Sequence, residues 1–300
     1  MRNIEEVILK DGRNLKKVIE LHKKWLEDDK SGIMADLSCE DLSYVDLSNV
    51  DLRYADCIDT DFTGSNMKDA NFKCATLRLS CFKGAKMKGI NLSCTDLRGT
   101  NLEDVDLTEG YLDSANLDSA DLFGACLKRA IFRGSYLKDA DLRNVIATYC
   151  DFSYTDLYNV NLTCGDIRYA SFIKAELIGT ILTNVKYNSS TSSFALQCPE
   201  EGSFIGYDKA NDKIVKLLIT KDSKRSSATS RKCRCSKAKV LSITSISGKE
   251  NFAKVTSDHD SNFTYEVGKI VEVKNYDENR WNEWGNGIHF FITRDEAVMY

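Results

Sequence analysis

Hydrophobic residues recur at every fifth position between residues 37 and 182. Of the thirty positions reached by stepping five residues at a time from Leu37, 28 are Leu, Phe, Met or Ile, and the other two, Cys57 and Ala147, are also apolar. A smaller residue, most often Ala or Val, stands two places before each of these centres, and Asp or Asn most often stands between the two. A period of five fits neither a helix nor a strand, whose side chains repeat every 3.6 and every two residues. The pattern therefore predicts a chain that turns regularly.

The five-residue period predicts a square coil. If each repeat forms one side of the square, four repeats return the chain to its start after twenty residues, with both apolar positions pointing inward. Successive coils then stack at a strand spacing of about 4.8 Å, and the thirty repeats make about seven and a half coils, a column about 36 Å long. We therefore predict a β-solenoid over residues 35–185.

The repeats also resemble a known family. The segments ADLSC, VDLSN, VDLRY, ADLFG and ADLRN match the A(D/N)LXX pattern of pentapeptide-repeat proteins, and the resemblance covers half the chain. It implies a mainly all-β protein built on a right-handed quadrilateral β-helix. Some members of that family inhibit topoisomerases by imitating the phosphate backbone of DNA. The resemblance therefore suggests a non-enzymatic recognition or inhibitor protein that binds or sequesters a host or cellular protein, with a phage or viral origin and an anti-defence role as further implications.

Aspartate precedes the repeat centre so often that it resembles a row of acid catalysts or metal ligands. We interpret these residues instead as turn residues whose side chains accept hydrogen bonds from nearby backbone amides. No catalytic residue and no metal site are predicted among them. They are Asp36, Asp41, Asp46, Asp51, Asp61, Asp96, Asp106, Asp121, Asp141, Asp151, Asp156 and Asp166.

The charge of the solenoid is unevenly distributed. Residues 35–185 contain 23 acidic and 15 basic side chains, a net charge of −8. The first side, centred on Leu37 and every twentieth residue after it, carries −5, as does the second side, centred on Leu42 and every twentieth residue after it, while the other two sides carry +1 each. Lysine and arginine interrupt this acidic edge, so DNA mimicry and a merely solvated surface both remain as interpretations. The candidate interaction surface comprises Asp36, Asp41, Asp56, Asp61, Asp121, Tyr149 and Tyr169, and the two tyrosines, one coil apart, are expected to stack.

Residues 1–34 are expected to form a helical cap on the open end of the solenoid, since exposed strand edges must be covered. From Asn14, apolar residues follow the spacing of an amphipathic helix. His22 lies on the apolar face, where a packed core residue is the simpler interpretation than a ligand. The apolar positions are Leu15, Val18, Ile19, His22, Trp25 and Leu26.

After Leu182 the period ends, and residues 186–202, which contain the only proline, are expected to form a linker. In residues 203–300, segments of strand length rich in Ile, Val, Phe and Thr predict a small, mainly-β domain, with strands over 213–220, 239–246, 263–273 and 288–293. Thr293 and Glu296 form a capping-box pattern that opens a short final helix. The segments SRKCRCSKAKVL, SDHDSNFTYEVG and DENRWNEWGNGIHFFITRDEA resemble a domain of unknown function that follows pentapeptide repeats in some bacterial and viral proteins.

The competing hypothesis places a small-ligand, nucleotide-binding or catalytic module in this second domain. A histidine beside a carboxylate is the minimum for acid–base work or metal binding. His259 is flanked by aspartates, and His289 lies on a predicted strand near Arg280 and Trp281. The basic stretch 221–239, which includes Lys232 and Arg234, suggests a site for nucleic acid or a phosphate ligand, against the alternative of a solvated hairpin.

Composition narrows the function further. A formal charge of −4 over 86 charged residues gives no basic signature for nucleic acid, and no apolar run is long enough to span a membrane. The N-terminus lacks a signal-peptide pattern, so we expect a cytoplasmic protein. Eight of the eleven cysteines lie in the repeats, which favours reduced thiols, and Cys233 with Cys235 lacks a second ligand pair for zinc. No cofactor is expected, and a homo-oligomer formed through the second domain remains an alternative.

Overall fold

The computed structural model describes residues 1–28, 30–194, 197–227, 231–258, 260, 262–278, 280 and 284–300. The chain divides into two compact units, residues 1–192 and 193–300. Within the described residues, none of the helices has the length and apolar character needed to cross a membrane.

The first unit begins with helix α1, Leu15–Glu27, which buries Leu15, Val18 and His22. Asn14 caps its first turn by accepting a hydrogen bond from the Lys17 amide at 3.3 Å. The His22 ring accepts a hydrogen bond at Nδ1 from the Ala35 amide at 3.0 Å, and burial lowers its pKa. The prediction that His22 is a packed core residue is confirmed, because the imidazole joins the helix to the first repeat.

Four repeats make one coil. Parallel β-bridges join residues twenty apart along the whole column, from Asp36 with Asp56 to Asp166 with Lys186. In the first coil the Leu37 amide donates to the Asp56 carbonyl at 2.7 Å, and the Asp56 amide donates to the Ala35 carbonyl at 3.0 Å. The quadrilateral β-helix is therefore confirmed, with a third side centred on Leu47 and a fourth on Leu52, each repeating every twenty residues.

Every corner of the square has the same backbone conformation. The residue two places after each centre has a positive φ in all thirty repeats, and 23 of these residues are not glycine. The backbone amide of the next residue donates a hydrogen bond to the carbonyl of the centre residue, as from Glu40 to Leu37 at 3.2 Å. A positive φ only at the third residue is the signature of a type II turn. The left-handed conformation costs about 1–2 kcal/mol for each non-glycine residue, a cost that the ladder of stacked coils offsets.

The interior is filled from both inward positions. All the centres from Leu37 to Phe172 are fully buried, and phenylalanines stack along the axis, with Phe152 centred 5.1 Å from both Phe132 and Phe172. Where the smaller inward residue is Ser or Thr, its hydroxyl commonly donates to a backbone carbonyl, as from Thr60 to Leu37 at 2.8 Å. Such bonds let a polar group occupy the core without an unpaired donor.

The interpretation of the repeat aspartates as turn residues is confirmed. In all twelve, Oδ1 accepts a hydrogen bond from the backbone amide two residues later, at 2.8–3.3 Å. Their abundance therefore follows from the turn geometry that each repeat requires.

The second unit consists of three small sheets and a short helix. One sheet has the strand order β1-β2-β5-β8, a second has β3-β4-β9, and β6 pairs with β7, all antiparallel. The capping box at the start of α2 is confirmed, because the Thr293 side chain and the Glu296 carboxylate cap each other's backbone. The elements are β1 Phe204–Ala210, β2 Lys213–Ile219, β3 Arg225–Ser227, β4 Cys233–Cys235, β5 Lys237–Ser245, β6 Lys254–Thr256, β7 Thr264–Glu266, β8 Ile270–Glu272, β9 Ile288–Phe290 and α2 Arg294–Met299.

Several strands of this unit differ from the expected ones, since β3, β4 and β6 lie outside every expected range. The single strand expected over 263–273 is wrong, because Gly268 adopts a φ of 86° and splits it into β7 and β8, which pair with different partners. Strand β1 was not expected, since glycine and three polar or charged residues obscure its alternation. Within the segment 186–202, the Ser192 amide bonds the Ala170 carbonyl of the solenoid at 3.0 Å, and Cys198 lies in the core of the second unit.

Candidate functional site

The first side of the solenoid ends in a group of exposed aromatic and aliphatic side chains, here called the first-side patch. It comprises Tyr136, Tyr154, Tyr158, Ile173 and Ile178, which are between 37% and 55% exposed. Tyr136, Tyr158 and Ile178 belong to the first side, while Tyr154 and Ile173 lie at the corner that precedes it. Because bridges join Tyr136 to Asp156 and Asp156 to Glu176, the patch covers three consecutive coils.

Charged residues surround the tyrosines of this patch. The Lys138 ammonium lies 5.5 Å from the centre of the Tyr158 ring, and the Lys174 ammonium lies 5.3 Å from that of Tyr154. Asp156 stands between the two tyrosines in the chain. Rings held by a cation on one side and open to solvent on the other form a surface with both apolar and polar contact groups.

Tyr149 and Tyr169, which the sequence places in the candidate surface, stack as expected. Their ring centres are 4.6 Å apart and their planes differ by 3°. They lie at the corner after the third side, and Arg129 lies 5.9 Å from the centre of the Tyr149 ring. The stack and the first-side patch therefore occupy different corners of the column.

The acidic candidates come together in pairs. Asp36 lies beside Asp56, and Asp41 beside Asp61, in the first two coils, whereas Asp121 lies several coils away between Asn101 and Asp141. Asp41 forms an ion pair with Arg2 at 3.3 Å, and hydrogen bonds from Ser43 are the main cause that lowers the pKa of its carboxyl. The N-terminal segment thus occupies part of the acidic surface.

Arginine neutralises part of the remaining acidity. In four repeats an arginine two residues after the aspartate pairs with it, at 2.6–2.9 Å. Asp96 with Arg98 lies on the first side, and Asp141 with Arg143 on the second. The acidic edge is therefore a set of local ion pairs and short acidic stretches rather than an unbroken row of carboxylates.

The second unit contains a cleft of about 250 Å³. Side chains from β1, β7 and β9 line it together with the 284–287 segment. The lining includes Asp208, Asp260, Tyr265, Trp284, Asn286 and His289. Its volume lies just below the roughly 300–1,000 Å³ of typical ligand pockets, which suits a small ligand.

Asp208 is the most perturbed acid in this cleft. The Tyr265 hydroxyl donates to its Oδ2 at 2.7 Å, and the Lys209 amide donates to its Oδ1 at 2.9 Å. Burial nevertheless raises the pKa of the half-buried Asp208 carboxyl to about 7. Sequence reasoning missed this residue. The sequence could have indicated it, because Asp208 lies two residues from both Gly206 and Ala210, the two small buried residues of β1. Alternation along a strand places all three on the same face.

Lys232 and Arg234 are buried, so the interpretation of the basic stretch as a solvated hairpin is wrong for these two residues. Lys232 is 8% exposed and Arg234 is 2% exposed. The Lys232 ammonium lies 4.1 Å from the Trp284 ring centre and 2.8 Å from the Tyr300 hydroxyl. The aromatic rings and the hydroxyl replace water around the charge. The hairpin itself is present, because β3 pairs with β4.

Arg234 lies opposite His289, since β4 pairs with β9 in that register. Its Nη1 donates to the Asn286 carbonyl at 3.2 Å, and its guanidinium lies 5.6 Å from the Tyr276 ring centre. A methyl group at residue 285 would meet the Arg234 guanidinium and the Asp277 carboxylate, so glycine at this position leaves room for both side chains. The buried arginine therefore fixes the loop that forms one wall of the cleft.

Arg280, another candidate ligand-binding residue, lies away from the cleft lining. It donates to the Ser227 carbonyl at 3.0 Å and to the Phe194 carbonyl at 2.7 Å, which holds the start of the second unit. His259 and Trp281 lie outside the described residues. The structure thus brings together Arg234 and His289, and places Lys232 against Trp284 at the cleft wall.

No three His, Cys, Asp or Glu side chains lie close enough to hold a metal ion within the part of the chain that the structure describes. Cys233 and Cys235 are buried in β4, and Cys198 lies against Cys233. Burial raises the pKa of Cys235 to about 12, so its thiol stays protonated.

Several solved structures are similar to the repeat region. Full-length QnrB1, a plasmid-mediated fluoroquinolone resistance protein, is 16% identical, with 49% of this chain and 81% of that one covered and a TM-score of 0.39. A pentapeptide repeat protein from the cyanobacterium Cyanothece is 21% identical, with 45% and 89% covered and a TM-score of 0.29. One from the thylakoid lumen of Arabidopsis thaliana is 30% identical, with 34% and 71% covered and a TM-score of 0.25.

Family models match both units. Pentapeptide repeats match over residues 35–69, 46–89, 90–134 and 125–163, and a family of unknown function, DUF5758, matches residues 194–297. No curated protein matches this chain. The chain therefore contains pentapeptide repeats over residues 35–163 and a DUF5758 domain over residues 194–297.

Proposed function

We propose that this chain is a non-enzymatic recognition protein that binds a partner protein through the first-side patch. The observation that carries the proposal is the position of Tyr136, Tyr154, Tyr158, Ile173 and Ile178 on three consecutive coils, exposed on one side of a hydrogen-bonded solenoid. Tyrosine is enriched among the residues that contribute most binding energy at protein interfaces.

The scaffold favours this use of the patch. Each tyrosine is attached to a backbone that bonds the coils on both sides, as Tyr154 does through its amide to the Ile173 carbonyl at 2.8 Å. A contact surface that is already ordered loses little conformational entropy on binding. Lys138 and Lys174 lie at the tyrosine rings, and Asp156 lies between the two tyrosines in the chain. These three residues supply the charged rim that gives an interface its specificity.

The acidic edge supports DNA mimicry less well than the patch supports protein binding. A mimic of the DNA backbone needs a regular series of negative charges. Here Arg98 and Arg143 each form an ion pair of 2.6 Å with the aspartate of their own repeat, which cancels charge along the first and second sides.

Affinity capture tests the proposal. The full-length protein, a Tyr154→Ser/Tyr158→Ser variant and a Tyr54→Ser/Tyr111→Ser control are immobilised and exposed to an extract of the cells in which the protein naturally occurs. The control removes two tyrosines of similar exposure, 48% each, that lie outside the patch. Tyr54 stands in the same corner column as Tyr154 but five coils away, and Tyr111 lies on the fourth side. We expect one protein to be retained by the wild type and the control and lost from the patch variant. Equal retention by the patch variant, with its fold verified by circular dichroism, would refute the patch as the binding surface.

A second candidate function is binding of a small ligand in the cleft of the second unit. The specific observation is the Asp208 carboxyl, which faces a cleft of about 250 Å³ and has a pKa raised by burial to about 7. A thermal-shift screen of small amines, carboxylates and phosphates tests it with wild type, Asp208→Asn and Trp284→Ala. A compound that raises the unfolding temperature of the wild type and of neither variant supports the site, while equal shifts in all three proteins place binding elsewhere.

A further inference from the structure

Two cysteines occupy the same position in consecutive coils. Cys74 and Cys94 are each the third residue of a corner turn on the fourth side, with φ values of 60° and 58°. They are twenty residues apart, the length of one coil. Among the eight cysteines of the repeats, no other two have this separation.

The backbone holds the two turns in contact. The Cys74 amide donates to the Ser93 carbonyl at 3.0 Å, and the Cys94 amide donates to the Asp113 carbonyl at 2.9 Å, so both turns belong to one continuous stack. Adjacent coils place equivalent Cα atoms about 4.8 Å apart. That separation falls inside the range of roughly 4.4–6.8 Å found in disulfides.

The thiols differ in accessibility. Cys94 is exposed, whereas Cys74 is half-buried beneath it. Burial and the neighbouring Cys94 thiol raise the pKa of Cys74. Cys94 is therefore the thiol that a soluble reagent meets first, and Cys74 is placed to react second.

We infer that Cys74 and Cys94 form a dithiol site that closes to an intramolecular disulfide by exchange with a small soluble disulfide such as oxidised glutathione. The Cys94 thiolate attacks one sulfur of the oxidant and releases one glutathione thiol, leaving a mixed disulfide on Cys94. The Cys74 thiolate then attacks the Cys94 sulfur, forms the Cys74–Cys94 bond and releases the second glutathione thiol. The two cysteines lose two protons and two electrons, and the oxidant is reduced to two thiols.

The solenoid contains its own controls for this chemistry. Cys39 and Cys164 are exposed at the same turn position on other sides. Cys39 stacks against Asp59, with its sulfur 4.0 Å from the Asp59 carboxylate, and Cys164 has Asn144 and Asn184 at the equivalent positions of the adjacent coils. Without a stacked thiol, each of these cysteines should stop at the mixed disulfide.

Mass spectrometry of the full-length protein after treatment with oxidised glutathione tests the inference. We expect a peptide pair linked through Cys74 and Cys94 that has lost two hydrogen atoms, and glutathione retained on Cys39 and Cys164. In a Cys74→Ser variant, Cys94 should retain glutathione as well. Glutathione retained on Cys94 of the wild type, with no linked peptide pair, would overturn the inference.

A transplanted pair tests whether coil spacing is the cause. Asp59→Cys places a second thiol against Cys39, while Asp69→Cys makes the same chemical change at an equivalent turn position on the third side. Both aspartates have a positive φ, of 54° and 55°. The first variant should gain a disulfide between Cys39 and the introduced thiol, and the second should gain only glutathione. A disulfide formed equally well by both variants would show that the reaction does not depend on stacking.

Discussion

Tyr149 and Tyr169 lie face to face on adjacent coils, with ring centres 4.6 Å apart and planes 3° apart. They are separated by twenty residues in the chain and by one coil in space. The same relationship links every pair of outward residues twenty apart, so the surface of the solenoid is a set of columns in which each residue has neighbours that can be named in advance. Stability and function of the surface should therefore follow these columns.

The tyrosine stack should contribute a measurable coupling energy. We expect the unfolding free energies of Tyr149→Ala, Tyr169→Ala and the double variant to yield a coupling of about 0.5–1.5 kcal/mol, the usual value for an aromatic pair beyond the area it buries. Urea unfolding monitored by circular dichroism measures it. The same cycle on Tyr54 and Tyr111, which belong to different columns of the fourth side, should give a coupling near zero. Equal couplings in the two cycles would contradict the column interpretation.

The corner positions predict the effect of adding a side chain. Gly64 and Gly84 occupy the same column of the second side, with φ of 62° and 65°. A methyl group at Gly64 would meet the Tyr44 ring, whereas one at Gly84 has no atom within 4 Å. Gly84→Ala should therefore cost about 1 kcal/mol for the left-handed backbone, and Gly64→Ala about 1 kcal/mol more.

The extra cost of Gly64→Ala should disappear when the ring is removed. In a Tyr44→Ala background, the two glycine substitutions should reduce the unfolding free energy equally. If the difference persists there, the collision with Tyr44 is not its cause.

Much of the first unit was predictable because one local requirement is repeated thirty times. The spacing from Leu37 to Leu182 predicted the coil, and the aspartates followed from the turn. The surface was less predictable. Counting the charges on each side of the coil placed most acidic residues on the first and second sides. The ion pair of Arg2 with Asp41 could not be predicted in this way, because Arg2 lies outside the repeats.

The second unit was less predictable because its core depends on contacts between residues far apart in sequence. Arg234 is enclosed by Tyr276 and Asn286, some fifty residues later in the chain, so nothing near it in sequence indicates burial. Asp208 owes its raised pKa to burial, although Tyr265 donates a hydrogen bond to it from another strand. The local sequence pattern identified the basic residues and His289 as candidates, but it could not show which of them lie in the same cleft.

Two inward hydroxyl groups of the solenoid should respond oppositely to removal. The Thr60 hydroxyl donates to the Leu37 carbonyl at 2.8 Å, whereas the buried Ser65 hydroxyl has no hydrogen-bond partner among the described residues. Thr60→Val should destabilise the protein by about 1 kcal/mol, and Ser65→Ala should leave it unchanged or stabilise it by up to about 1 kcal/mol, because an unpaired buried group carries a desolvation cost. Urea unfolding of both variants measures the effects, and a loss of stability in Ser65→Ala equal to that in Thr60→Val would contradict this assignment.

The two most perturbed aspartates of the second unit predict pH dependences of opposite sign. Burial raises the pKa of Asp208 from 3.8 to about 7, so the native state holds a proton that the unfolded chain has released. Stability due to Asp208 is therefore complete below 3.8 and is lost as the pH rises through about 7. Hydrogen bonding with Lys237 lowers the pKa of Asp222 to about 2, so its contribution is present above 3.8 and is lost as the pH falls through about 2.

Single substitutions separate these two contributions. Asp208→Asn cannot ionise, so the decline in unfolding free energy between about pH 4 and about pH 7 should be smaller in this variant than in the wild type. Asp222→Asn should keep that decline and lose part of the wild-type drop at acid pH, because its ion pair with Lys237, at 2.8 Å, is absent at every pH. Urea titrations across the pH range measure both slopes. An unchanged neutral-pH slope in Asp208→Asn would show that the carboxyl is already ionised in the folded protein, and the cleft would then hold a fixed negative charge at neutral pH.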